Sequence, residues 1–255
     1  MTATPTTPNV ASVELLEQIN SLLESLDLPQ LGRLGDSNRL EGQITGMPEV
    51  STRGLPFFYI LTFPFIRPSG ETGFHHMVAE ANTGKHPSTV VVLMINGHLM
   101  LTRQFRVAQG ENFNEVPRGF GGALLDCLEA FADVPSEFND ALRIVLREVP
   151  QQMIDGITES HFWHLGDVPH NTGLMMGDIA YYLVHLTVSQ EAMGNRQTRK
   201  GLRAADGITL MTSTLEGARR SVKDAHSVVA ICGFADQIRD YLTHAGLAIV
   251  EPRAE

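Results

Sequence analysis

The spacing His161-x-x-His164, with His170 beyond it, can bring two imidazoles to one face of a helix, where they would hold a metal ion. The surrounding Phe162, Trp163 and Leu165 instead read as a strand entering a core, and residues three apart on a strand point to opposite faces. The expectation is therefore no metal at these histidines, and none at His75-His76, where adjacent strand residues also diverge. A second grouping, Gly194-Asn-Arg-Gln-Thr-Arg-Lys-Gly-Leu-Arg, sets Arg196, Arg199, Lys200 and Arg203 close together without an acid. Guanidinium forks there would attract phosphate, not a metal; the plain alternative is a solvated loop. Gly119-Phe-Gly-Gly has the spacing of neither a phosphate loop nor a dinucleotide fingerprint. Cys127 and Cys232 stand far apart and read as two buried thiols.

The elements that must carry these residues follow from periodicity. Leu15, Leu16, Ile19, Leu22, Leu23 and Leu26 recur at helical spacing, which predicts an amphipathic helix over Val13 to Leu28, capped by Ser12 and stopped by Pro29 and Gly32. Leu55 to Ile66 is aromatic and β-branched, but Pro56 and Pro64 cannot donate to a ladder, so an edge strand is expected. Strands follow at His75 to Glu80 and Thr89 to Ile95, and Asn96-Gly97 before HLMLTRQF is a hairpin turn. Ser136 to Val149 places Phe138, Leu142, Val145 and Val149 on one helical face between Pro135 and Pro150. A core strand is expected over Ile179 to Val188, a short one over Ile208 to Ser213, then helices over Leu215 to Arg220 and Asp224 to Leu242. Two parts are expected: residues 1–40, a disordered start and the N-terminal helix, and residues 41–255, the main domain.

In order, a hairpin ending in Gln104-Phe105-Arg106, the turn Glu115-Val116-Pro117-Arg118-Gly119, a loop, a helix containing Arg-Glu, a strand and closing helices resemble the Nudix hydrolases. The likeness is to their ADP-ribose pyrophosphatase branch and covers residues 50 to 245. It implies an α+β Nudix fold: a mixed β-sheet core flanked by helices in an α/β/α sandwich. In that family three glutamates on one helix hold magnesium against a diphosphate. This sequence departs from the pattern. Taking Arg147-Glu148 as the family's Arg-Glu turns the next two acids into Gln151 and Gln152. Taking Arg143 instead gives Ile144, Arg147 and Glu148, and puts Pro150 at the helix end, not inside it, where proline costs about 3 kcal/mol. Both registers leave Glu148 as the one surviving acid.

The resemblance implies Glu148 and Glu115 as catalytic and metal-holding carboxylates, with Mg2+ or Mn2+ as the ion. Asp126, Glu129 or Asp133, in the stretch replacing the family's approach to the helix, would supplement them. It implies Arg106, Gln104, Arg118, Gly119, Gly173, Arg196 and Arg199 as ligand contacts. The function implied is hydrolysis of a nucleoside diphosphate-linked metabolite, of the ADP-ribose or sugar-nucleotide class, at an acid-poor metal site. The alternative is a catalytically inactive module that binds such a ligand.

Charge and hydropathy limit the partners. A net charge of −10 argues against nucleic acid, which needs a basic surface. The longest apolar run, Val90 to Ile95, is six residues, where a bilayer needs roughly 20. Met1-Thr-Ala-Thr-Pro has neither the basic nor the apolar part of a signal peptide, so a cytoplasmic protein is expected. The leucine stripe of the first helix needs cover, which suggests a homodimer or a helix folded back on its own chain.

Overall fold

The computed structural model describes residues 10–36, 41–52, 58–81, 88–106, 111–119, 131–169, 176–193, 202–203 and 209–247. Gly173, Arg196, Arg199 and Lys200, with Asp126, Glu129, Cys127 and His170, lie outside them. The chain forms two compact units. One comprises Met1–Pro87 and Pro169–Asp178, the other Ser88–Val168 and Ile179–Glu255.

In the first unit, helix α1 (Val10–Ser25) carries the leucine stripe. Ile19 and Leu23 are fully buried, in one cluster with Leu28, Leu61, Phe63 and Ala79, so the stripe is covered by its own chain. Ser12 lies inside the first turn of α1 and does not precede it. The helix ends before Pro29: Asp27 takes a left-handed φ of 53° and the Leu28 N–H bonds the Leu23 carbonyl at 2.9 Å. That six-to-one bond closes the helix without a glycine. The side chain of Asn20 then pairs with both backbone groups of Leu31, at 2.8 and 3.0 Å, and fixes the returning loop.

Strands β1 (Gln43–Ile44), β2 (Glu49–Ser51), β3 (Phe58–Ile66) and β4 (Thr72–Glu80) complete this unit. The expected edge strand is wrong: β3 is central, with β4 on one flank and β1 and β2 sharing the other. The register explains how Pro64 is tolerated. β2 pairs with residues 60–62 and β1 with residues 65–66, so Pro64 faces the break between them. Its carbonyl accepts from Thr45 N at 3.0 Å, on the flank where its missing N–H would also point.

The second unit is built on the strands β5 (Ser88–Ile95), β6 (His98–Arg106), β7 (Glu111–Glu115), β8 (Arg118–Gly119), β9 (Ile157–Pro169), β10 (Asp178–Val188), β11 (Leu202–Arg203) and β12 (Thr209–Ser213). The path across the sheet is β11-β12-β6-β5-β10-β9, with β7 on β6 and β8 on β5. β5 and β10 run parallel, while β6, β8 and β12 pair antiparallel with their neighbours. Both faces of β5 are buried, which is why its sequence is a continuous apolar run and does not alternate. The Asn96-Gly97 turn has φ of 50° and 78°, the pair of positive angles of a type I′ hairpin. Asn96 also holds Val188 with its side chain, at 2.8 and 2.9 Å, tying the hairpin to the end of β10.

Helices cover both faces. A 3-10 turn (Ser136–Phe138) leads into α2 (Asn139–Glu148); Phe138 of the turn and Leu142 and Val145 of the helix pack against the sheet, and α3 (Gln151–Ile154) and α4 (Gln190–Met193) follow. Pro150 separates α2 from α3, as the favoured register requires. The opposite face carries α5 (Leu215–Ser221), α6 (Ala225–Val228) and α7 (Ala235–His244). The single helix expected over Asp224 to Leu242 is broken: Val229–Gly233 is a π turn. The wider turn directs Ala230 and Ile231 into the core and leaves Cys232 exposed, against the expectation of a buried thiol. His161 and His164 do lie on a strand, β9, and part to opposite faces: His161 stacks on Trp163, while His164 packs on Tyr182. This layering of helices on either side of a mixed sheet is the α+β sandwich expected from the sequence.

Candidate functional site

Strand ends and a helix end of the second unit bring six charged side chains together. Arg106 closes β6 and Glu115 closes β7, and the pairing Thr102↔Glu115 and Arg106↔Glu111 puts both on one face of the ribbon. Gln104 shares that face, opposite Phe113. Arg106 grips Glu115 with two parallel bonds, Nε to Oε1 at 2.7 Å and Nη2 to Oε2. Arg118 adds a third contact to Oε2, at 3.3 Å. Glu115 is 2% exposed, so its charge is removed from water, and among the described residues guanidinium groups neutralise it. The carboxylate in turn holds the Arg106 proton more firmly than usual: the bond to Glu115 raises its pKa against the opposing effect of burial. Asp224 and Glu148 add to that field.

The E-x-P-x-G turn between β7 and β8 is braced by the start of α6. Asp224 caps that helix through Ser227 N, at 3.0 Å, and also meets Arg118 at 3.5 Å. The buried hydroxyl of Ser227 accepts from Val116 N at 2.9 Å. A parallel bridge from Asn114 to Val222 and the Lys223–Glu111 pair at 3.3 Å extend the seam. Tyr181 lies against the same seam, with Oη 3.4 Å from His226 Nδ1. Burial, with a smaller push from Asp224, raises its phenol to a pKa of about 12.

Glu148 is the last residue of α2 and is 2% exposed. A carboxylate at a helix C-terminus opposes the helix dipole. Arg147 offsets this, donating to Oε1 from Nε at 2.8 Å and from Nη2 at 2.7 Å. Arg147 Nη2 also donates to the Arg118 carbonyl, joining the helix end to the turn. Oε2 of Glu148 is buried with no hydrogen-bond partner among the described residues, as is Oδ2 of Asp224.

The structure thus brings Arg106, Glu115, Arg118, Gly119 and Glu148 together, with Gln104 on the same ribbon. Of Arg203 only the backbone, in β11, is described. Asp133 is exposed. Arg147, Asp224 and Ser227 are members that the sequence reading did not single out. The Asp224-x-x-Ser227 spacing of a helix cap was the available signal for two of them. Arg147 was visible only as a register marker.

No family model matches this sequence, and no curated protein does. Among solved structures, the crystal structure of an ADP compounds hydrolase superposes with a TM-score of 0.53 at 13% identity, over 82% of this chain and 97% of that one. At that identity the likeness concerns the fold, which is of the Nudix type.

A Nudix-type fold raises the question of a divalent cation, which takes six or more oxygen ligands. Both oxygens of Glu115 and one of Glu148 are engaged by guanidinium, and among the described residues no group of three His, Cys, Asp or Glu side chains could hold an ion. Among the described residues the donor set does not fit a resident metal.

Proposed function

We propose that this chain recognises a nucleoside diphosphate-linked metabolite, of the ADP-ribose or sugar-nucleotide class, at the cluster around Arg106, and that recognition without turnover is its principal activity. The observation that carries this reading is the convergence of Arg106 and Arg118 on the buried carboxylate of Glu115. Arg106 keeps donors beyond the two given to Glu115, Arg118 and Arg147 are partly exposed beside it, and three guanidinium groups offer a diphosphate the forked bonds it accepts best. Gln104 and Gly119 line the same ribbon and turn. The resemblance to an ADP compounds hydrolase supports the ligand class. Gly173, Arg196 and Arg199, outside the described residues, stay in the reading as ligand contacts that the resemblance implies.

The second reading, hydrolysis at an acid-poor site using Glu148 and Glu115 with Mg2+ or Mn2+, is favoured by one observation: Oε2 of Glu148, near Arg106, is a buried acceptor with no donor among the described residues. The two readings separate in one experiment. Calorimetry with ADP-ribose, NAD and sugar nucleotides is run beside product assays with each ion. Saturable binding without product supports recognition; turnover lost in Glu148→Gln supports hydrolysis; neither binding nor turnover removes the ligand class.

A further inference from the structure

We infer that Phe113 is the base platform of this site: its ring takes the heteroaromatic base of a nucleoside diphosphate while the guanidinium groups beside it take the phosphates. The inference rests on the proposed function and adds to it a residue that neither the motif order nor the charged cluster includes. β7 reads Glu-Asn-Phe-Asn-Glu, so Phe113 is the one apolar side chain of a polar strand. It is half-buried, yet it belongs to none of the three hydrophobic clusters formed by the described residues. Its neighbour is a cation: the ammonium of Lys223, held by Glu111 at 3.3 Å, lies 5.7 Å from the ring centroid. A cation over one face of a ring is drawn by the negative quadrupole there, and a planar partner would take the other face.

The strand register sets this ring beside the charges. Thr102↔Glu115, Gln104↔Phe113 and Arg106↔Glu111 are successive rows on one face of the β6–β7 ribbon. Arg106 bonds Glu115 across the middle row, that of Phe113. Directly opposite the ring stands Gln104, whose amide offers both a donor and an acceptor. An aromatic face next to forked cations matches the two halves of a nucleotide. Stacking tolerates a change of base, because every base has a π-face.

Calorimetry on the full-length chain compares ADP-ribose and UDP-glucose with inorganic pyrophosphate, which has the charge and lacks the base. Phe113→Leu keeps apolar bulk without the π-face. It should weaken whichever nucleotide binds by about tenfold to a hundredfold, and leave pyrophosphate affinity and melting temperature as in the wild type. Phe113→Trp should restore nucleotide affinity. Saturation with that nucleotide, and not with pyrophosphate, should quench the emission of the added indole, measured against the wild type with its single Trp163. The quench is an independent test should Phe113→Leu fail to fold. Nucleotide affinity unaltered in Phe113→Leu, an equal loss for pyrophosphate, or no quench in Phe113→Trp overturns the inference and leaves the proposed function standing. A wild-type chain that binds pyrophosphate as tightly as either nucleotide has no base platform, and one that binds none of the three loses the proposed function as well.

Discussion

At the scale of single residues, the charges of the site are coupled tightly enough that each substitution has a signed outcome. Arg106→Met leaves the buried Glu115 with Arg118 alone. The expected loss is about 2 kcal/mol in urea unfolding, below the roughly 3–5 kcal/mol of a fully buried pair because the guanidinium is partly in water. Arg106→Met with Glu115→Gln should recover part of that loss, and a double mutant no more stable than the single would show that the pair is not what holds the turn. Tyr181 and Tyr182 are both raised to about 12, chiefly by burial. A folded-state pKa above the unfolded value of 10 gives stability that is complete below pH 10 and lost as pH rises through 12. Stability should therefore fall across that window, and Tyr181→Phe should flatten the fall. His185 is shifted the other way, lowered by burial and by His161, with Glu159 opposing. Its contribution is complete above the unfolded value of 6.5 and lost as pH falls, so His185→Gln should reduce acid sensitivity in melts below that pH.

At the scale of elements, the brace between the Glu115–Gly119 turn and α6 is the part most open to test. Ser227→Ala strands the Val116 N–H in a buried place and should cost about 1–3 kcal/mol. Asp224→Ala removes a helix cap as well as an Arg118 contact, at about 0.5–2 kcal/mol. If the seam positions the site, both should weaken ligand binding by more than they alter the melting temperature of unliganded chain; calorimetry showing unchanged affinity would make the seam structural only. The same seam shows what the sequence could and could not disclose. Asn96-Gly97, the run VVVLMI and the stripe of α2 were legible because turn chemistry and periodicity act locally. The interior place of Pro64 was not, because it depends on a gap between two other strands. The π turn at Val229–Gly233 was not legible because its residues keep a helical alternation of apolar and small side chains. Arg106, Glu115 and Glu148 could be named from motif order, but that Glu115 is held by two arginines is a matter of strand register and side-chain reach, which no spacing encodes.

At the scale of the whole molecule, α1 answers one question and leaves a measurement for another. Its stripe is buried in its own unit, so Leu23→Ala should cost about 2–5 kcal/mol and leave the mass in light scattering unchanged. A homodimer remains our proposal for the full chain, now without that stripe as its contact; the same scattering run, monomeric at every concentration, would reject it. Among the described residues no helix is long and apolar enough to cross a membrane. The route of the chain has a further effect, on the order in which it can fold. The central pair of the second unit joins Ser88 to Ile179, a separation of 179 − 88 = 91 residues. The first unit also waits for a late segment, since Met176 belongs to its core and bonds Val78 O at 2.9 Å. Closing such long loops precedes any gain from the contacts they make, which slows folding. During synthesis, therefore, the N-terminal unit cannot complete its core until Met176 has left the ribosome, and the second unit waits longer, for Leu242 of α7.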